Sequence, residues 1–68
     1  VVIAERATIH YKDGTSRVLA RPKGSRRFFF LDDQGEPTEG YRTRRTLDEW
    51  PRRDRRCERV DFEPLIPS

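Results

Sequence analysis

The stretch Ala7-Thr8-Ile9-His10-Tyr11-Lys12-Asp13-Gly14-Thr15-Ser16-Arg17-Val18-Leu19-Ala20 decides the fold. Ala7, Ile9 and Tyr11 alternate with Thr8 and His10, the two-residue period of a half-buried strand. Asp13-Gly14 is a strong hairpin signal, because the tight turn joining two strands needs positive φ, which glycine supplies. A two-residue turn there predicts Ile9 opposite Val18, Ala7 opposite Ala20 and His10 opposite Arg17. The next punctuation is Pro22-Lys23-Gly24-Ser25, beyond which Phe28-Phe29-Phe30-Leu31 forms the longest apolar run. A turn at Lys23-Gly24 would set Val18 against Phe29 and Leu19 against Phe28. One face then carries Ile9, Val18, Phe29, Tyr11 and Leu31, the other Leu19, Phe28, Phe30, His10 and Arg17. A slip of one residue exchanges faces.

Outward from this meander, Asp32-Asp33-Gln34-Gly35-Glu36-Pro37 reads as an acidic turn, and Tyr41 to Leu47 as a charged edge strand. Thr46-Leu47-Asp48-Glu49 has capping-box spacing, with Thr46 as N-cap. Pro51 then limits the helix to one turn near residues 47–50, extended at most irregularly through Arg56. Arg59-Val60-Asp61-Phe62 alternates again as a final strand. The expected fold is mostly β: a small antiparallel sheet, or a partly open barrel of the SH3-like or OB-like kind, with 4–5 strands. Residues 1–63 form one domain and 64–68 an extended tail.

The chain has 68 residues, 40% charged and 32% hydrophobic, with a formal net charge of +3. A chain this short buries only about 60% of its unfolded surface, so one small core is the limit. No run approaches the roughly 18 apolar residues of a membrane span. The single Cys57 forms no internal disulfide, which points to a reducing, cytoplasmic setting. Val1 to Glu5 lacks a basic leader. One His and one Cys fall short of a structural zinc site, and phosphate-loop and dinucleotide glycine patterns are absent. No cofactor and no small-molecule substrate are expected.

Thirteen of the fifteen cations are Arg, whose planar fork matches phosphates and carboxylates. Charge is ordered in blocks. Arg21, Lys23, Arg26 and Arg27 precede the acidic Asp32, Asp33, Glu36 and Glu39; Arg42, Arg44 and Arg45 follow, then Arg52, Arg53, Arg55, Arg56 and Arg59. Such segregation creates local fields that the small net charge conceals.

Aromatics adjoin these cations in Arg26-Arg27-Phe28-Phe29-Phe30, Tyr41-Arg42-Thr43-Arg44-Arg45 and Trp50-Pro51-Arg52-Arg53. Rings on which bases stack, interleaved with cations that follow phosphates, are the means by which single strands are held. The leading expectation is therefore a non-enzymatic domain contacting nucleic acid or a nucleoprotein machine. Arg26, Arg27, Arg42, Arg44, Arg45, Arg52 and Arg53 would meet phosphate, and Phe28, Phe30 and Tyr41 would stack. In that arrangement Arg17, Arg26 and His10 border a Phe28–Phe30 platform.

The alternative is a protein-interaction module or small regulator on an acidic partner such as a transcription complex, using Trp50, Arg55, Arg56, Leu65 and Ile66. His10 is the one side chain whose ordinary pKa suits a general base near neutrality, but no nucleophile is evident beside it by spacing. A ribonuclease-like activity is the minor reading. Arg55, Arg56 and Arg59 would activate Cys57 only if the thiol were exposed.

Overall fold

A computed structural model describes residues 2–65. Its elements run β1 (Ile3–Tyr11), β2 (Ser16–Pro22), β3 (Arg27–Leu31), β4 (Pro37–Thr43), α1 (Arg44–Arg53) and β5 (Cys57–Pro64). The five strands form one antiparallel sheet in the order β4-β3-β2-β1-β5. The sheet stays open, with β4 and β5 at opposite edges. Strands β1 to β4 make the expected meander; α1 then crosses one face and delivers β5 beside β1.

The first hairpin differs from its expected register. Its loop has three residues, with Tyr11 N–H donating to Thr15 O at 2.9 Å and Gly14 N–H to Tyr11 O at 3.1 Å. Gly14 takes φ +91°, the left-handed residue that closes such a loop. Asp13 Oδ1 accepts from Thr15 N–H and from its hydroxyl, which favours the longer loop. Ile9 therefore stands opposite Arg17 and Ala7 opposite Leu19. This one-residue shift turns β1 over relative to β2, and His10 leaves the face of Phe28 and Phe30. Between β2 and β3 the pairing is Leu19 with Phe30 and Ala20 with Phe29. That register is two residues from the expected one, an even shift that preserves the faces.

The covered face carries Ala7, Ile9, Leu19 and Phe28, all fully buried with Leu47 of α1, while Cys57 is nearly so. Tyr11, Phe30, Trp50, Val60 and Phe62 pack around them. Phe28 meets Phe62 edge-on at 5.7 Å, joining β3 to β5 beneath the helix. Burial of each large side chain stabilises the fold by about 1.5–3 kcal/mol, so Phe28, Ile9, Leu19 and Leu47 supply much of the driving force.

Helix α1 begins earlier and ends later than the expected turn. Thr43, not Thr46, is the N-cap: its Oγ1 accepts from Thr46 N–H at 3.3 Å. The helix starts where β4 stops pairing, at Thr43 opposite Arg27, and residues 44–47 leave the sheet. That start puts Leu47 one turn in, where it reaches the core. Pro51 lies within the last turns and does not end the helix. Its missing N–H forfeits the single bond to the Leu47 carbonyl, while Asp54 N–H still closes on Trp50 O at 2.9 Å.

Candidate functional site

The antiparallel pairing of β3 with β4 sets Arg27 opposite Thr43 and Phe29 opposite Tyr41. Arg26-Arg27 and Tyr41 to Arg45, some fifteen residues apart in the chain, thus meet at one corner of the sheet. The acidic loop of Asp32, Asp33 and Glu36 lies at the far end of the same hairpin. Its Asp32 Oδ1 is occupied by the N–H groups of Gln34 and Glu36. The hairpin is therefore polarised, basic at one end and acidic at the other.

At the basic end, the β2–β3 loop and the start of α1 flank a depression of about 470 Å³. Arg21, Arg26, Arg44 and Arg45 line it, with Ser25, Thr43, Phe28 and Glu5. Glu5 is the one buried charged residue among those described. Its Oε1 accepts from Arg21 Nε at 3.3 Å, and its Oε2 from Arg44 Nη1 at 2.8 Å. Arg21 Nη1 also donates to Ser25 O at 3.0 Å, and the Arg44 guanidinium sits 4.3 Å over the Phe62 ring. Two guanidiniums are thereby fixed at the base of the depression. Arg26 and Arg45 stand at its rim, Arg45 90% exposed and only 3.8 Å from Glu49 Oε1.

Around the corner, on the uncovered face, the Arg27 guanidinium lies 4.6 Å over the Tyr41 ring, which also meets Phe29 at 5.8 Å. Tyr41 is 39% exposed and retains a ring surface for a ligand. Phe28 has none, because it is fully buried, so its expected role as a stacking platform is overturned. Phe30 is half-buried and already flanked by Arg17 at 5.0 Å and Arg42 at 5.2 Å. Arg42 also reaches Trp50 at 5.3 Å. Arg42 thus braces aromatics on the covered face, a packing role combined with charge.

Arg52 and Arg53 do not join this corner. They end α1, whose ten residues span about 15 Å. Arg53 donates to Glu49 at 3.0 Å. Arg55 and Arg56 line a second depression of about 510 Å³ with Lys12 and Arg17. The residues expected for protein interaction are scattered. Arg56 O accepts from Lys12 N–H at one end of β1, whereas Leu65 N–H donates to Ala4 O at the other, about 25 Å away. Leu65 is 38% exposed and Trp50 is largely packed, its buried Nε1 without a partner among the described residues. Ile66 lies outside the described residues.

His10 is on the uncovered face, its Nε2 2.9 Å from Asp61 Oδ2. Arg59 Nε donates to the same oxygen at 3.1 Å and, with His10, holds the Asp61 carboxyl below its ordinary pKa. Ser16 stands opposite His10 in register, yet no hydrogen bond joins their side chains among the described residues. Burial pushes the Cys57 thiol up, so its arginine neighbours do not activate it. No cluster of potential metal ligands occurs among the described residues, nor is any helix there long and apolar enough to cross a membrane.

Sequence reasoning missed Arg21 and Glu5 as site residues. The signal was parity: Glu5 continues the Ala7–Ile9 face of β1, and Arg21 continues that of Leu19. A charge on each apolar stripe implies a buried pair. No family model matches the chain, and no curated protein or solved structure matches it either. Any functional reading therefore rests on this geometry.

Proposed function

We propose that this chain is a small nucleic-acid-binding domain that holds a single strand at the β3–β4–α1 corner. The observation that carries the reading is the convergence of Arg21, Arg26, Arg44 and Arg45 around one depression, with Arg27 and the exposed Tyr41 ring around the same corner on the uncovered face. Guanidiniums in a concave surface raise the local concentration of polyanions. A single ring at their edge offers one base a stacking partner, an interaction of about 1–3 kcal/mol. The rival reading, docking on an acidic protein, draws on residues at both ends of β1 and gains no comparable convergence.

The test is fluorescence anisotropy of a labelled mixed-sequence single-stranded oligonucleotide at low salt, with the protein in excess. Saturable binding that weakens when Tyr41→Ala is introduced supports the reading. An absence of saturable binding to both DNA and RNA strands overturns it.

A further inference from the structure

The helix start beside the depression breaks an electrostatic rule. First turns favour Asp and Glu, because the unpaired N–H groups there carry positive partial charge. Helix α1 instead opens with Arg44-Arg45 and has no acidic residue in its first turn. Arg21 of β2 and Arg26 of the β2–β3 loop add two more cations; Glu5 is the one carboxylate lining the depression, and Glu49 lies 3.8 Å from Arg45 outside it. Glu5 does not cancel this cluster. It pins Arg21 through Nε and Arg44 through Nη1, and Ser25 O and the Phe62 ring brace them further, while Nη2 of each takes part in none of these bonds. Fixed guanidiniums lose little conformational freedom when a ligand arrives. The opposing rim arginines are Arg26 and Arg45, and Arg45 can close over it by giving up an exposed 3.8 Å pair with Glu49 that contributes little.

We infer that this pocket is a site for a phosphomonoester dianion, such as a phosphate at the end of a nucleic-acid strand or on a free nucleotide. A phosphomonoester carries about −1.5 to −2 charges at neutral pH and three acceptor oxygens, against one charge on a diester within a chain. Four guanidiniums around one concavity suit the more highly charged group, and bidentate Arg–phosphate pairs are among the stronger hydrogen bonds. The first-turn N–H groups of α1 add favourable partial charge on the same side. Phe28 and Glu5 back the depression, so an anion enters from the open side and ends there. The inference rests on the strand-binding reading only for the source of the phosphate.

The experiment is an amide NMR titration of the intact protein with inorganic phosphate at constant ionic strength. Anisotropy titrations follow, with one oligonucleotide carrying either a 5′-phosphate or a 5′-hydroxyl. The expected result is saturable shifts at Ser25, Arg26, Arg44 and Arg45, and binding of the 5′-phosphate strand about tenfold tighter. The exposed pair Arg26→Ala with Arg45→Ala should remove that preference while leaving the amide spectrum folded. Saturable phosphate binding at these amides with equal affinity for the two strands also supports the site and assigns it to a free phosphomonoester. Shifts that do not saturate, or that fall equally on Arg52 to Arg56, overturn the site. The strand-binding reading survives that result if the 5′-hydroxyl strand still binds, so the two failures are distinguishable.

Discussion

Replacing Arg26, Arg27 and Arg45 together by Ala removes three cations from the corner while sparing the Glu5 pairs. The Arg27–Tyr41 contact and the 3.8 Å Arg45–Glu49 pair are the interactions lost, both at exposed positions where such contacts contribute little to stability. Melting by circular dichroism should therefore change by only a few degrees. Binding should change a great deal. If the five guanidiniums of the corner, Arg21, Arg26, Arg27, Arg44 and Arg45, together displace the counterions of about five phosphate charges, log affinity falls against log salt with a slope near −3.5, at about 0.7 per charge for single strands. Raising salt from about 50 to 200 mM then weakens the native protein by about 130-fold. The triple variant keeps about two contacts and a slope near −1.4, so the same change weakens it by only about sevenfold. Anisotropy titrations at four salt concentrations measure both slopes. An unchanged slope in a folded variant would refute the placement of the strand at this corner.

Glu5→Gln should lower stability by about 1–3 kcal/mol in urea unfolding, because it leaves Arg21 and Arg44 without their shared carboxylate. The lower part of the range for such buried pairs applies because Arg44 is 55% exposed. Pro51→Ala should stabilise by about 1–2 kcal/mol, since a donor to the Leu47 carbonyl is restored and only part of the gain is offset by a looser unfolded chain. Its melting temperature should rise. Cys57 should resist a thiol reagent in the native protein and react at once in denaturant, because the group is buried and its pKa raised by burial. Rapid native labelling would contradict the packing of Cys57.

Acid should also report on three carboxylates, in the first hairpin loop, at the end of α1 and on β5. Asp13 is held low chiefly by its bonds from Thr15, Asp54 by Arg56 N–H, and Asp61 by Arg59. A carboxyl whose folded pKa is depressed stabilises the fold fully above its unfolded value of about 3.9. That contribution is lost as pH falls through the lower folded value. Melting temperature should therefore stay level from pH 7 to about 5 and decline below about pH 4. Asp61→Asn should reduce the decline.

Composition and local pattern were enough to read the meander, because Ala7-Thr8-Ile9-His10-Tyr11 and Phe28-Phe29-Phe30 repeat with the period of a strand and glycines mark the turns between them. The same logic placed a last strand around Arg59–Phe62 and cations next to rings. Register was beyond it. Asp13-Gly14 suits either a two- or a three-residue loop, and the choice, made by the Asp13–Thr15 bonds, turned His10 to the opposite face from Phe28. The helix was underestimated because Pro51 reads locally as a stop, whereas burial of Leu47 and packing of Trp50 outweigh one lost hydrogen bond. Phe28 and Phe30 look alike in sequence, and only the tertiary packing of Phe62, Arg21 and the rest of the core around the first buries it completely. Sequence by itself determined that this is a small, arginine-rich β protein with its charge in blocks, because those properties are local. Only the tertiary structure decided which blocks meet. The register of β3 against β4 and the salt bridges of Glu5 bring Arg21, Arg26 and Arg44 together from separate parts of the chain, and no local pattern encodes that contact.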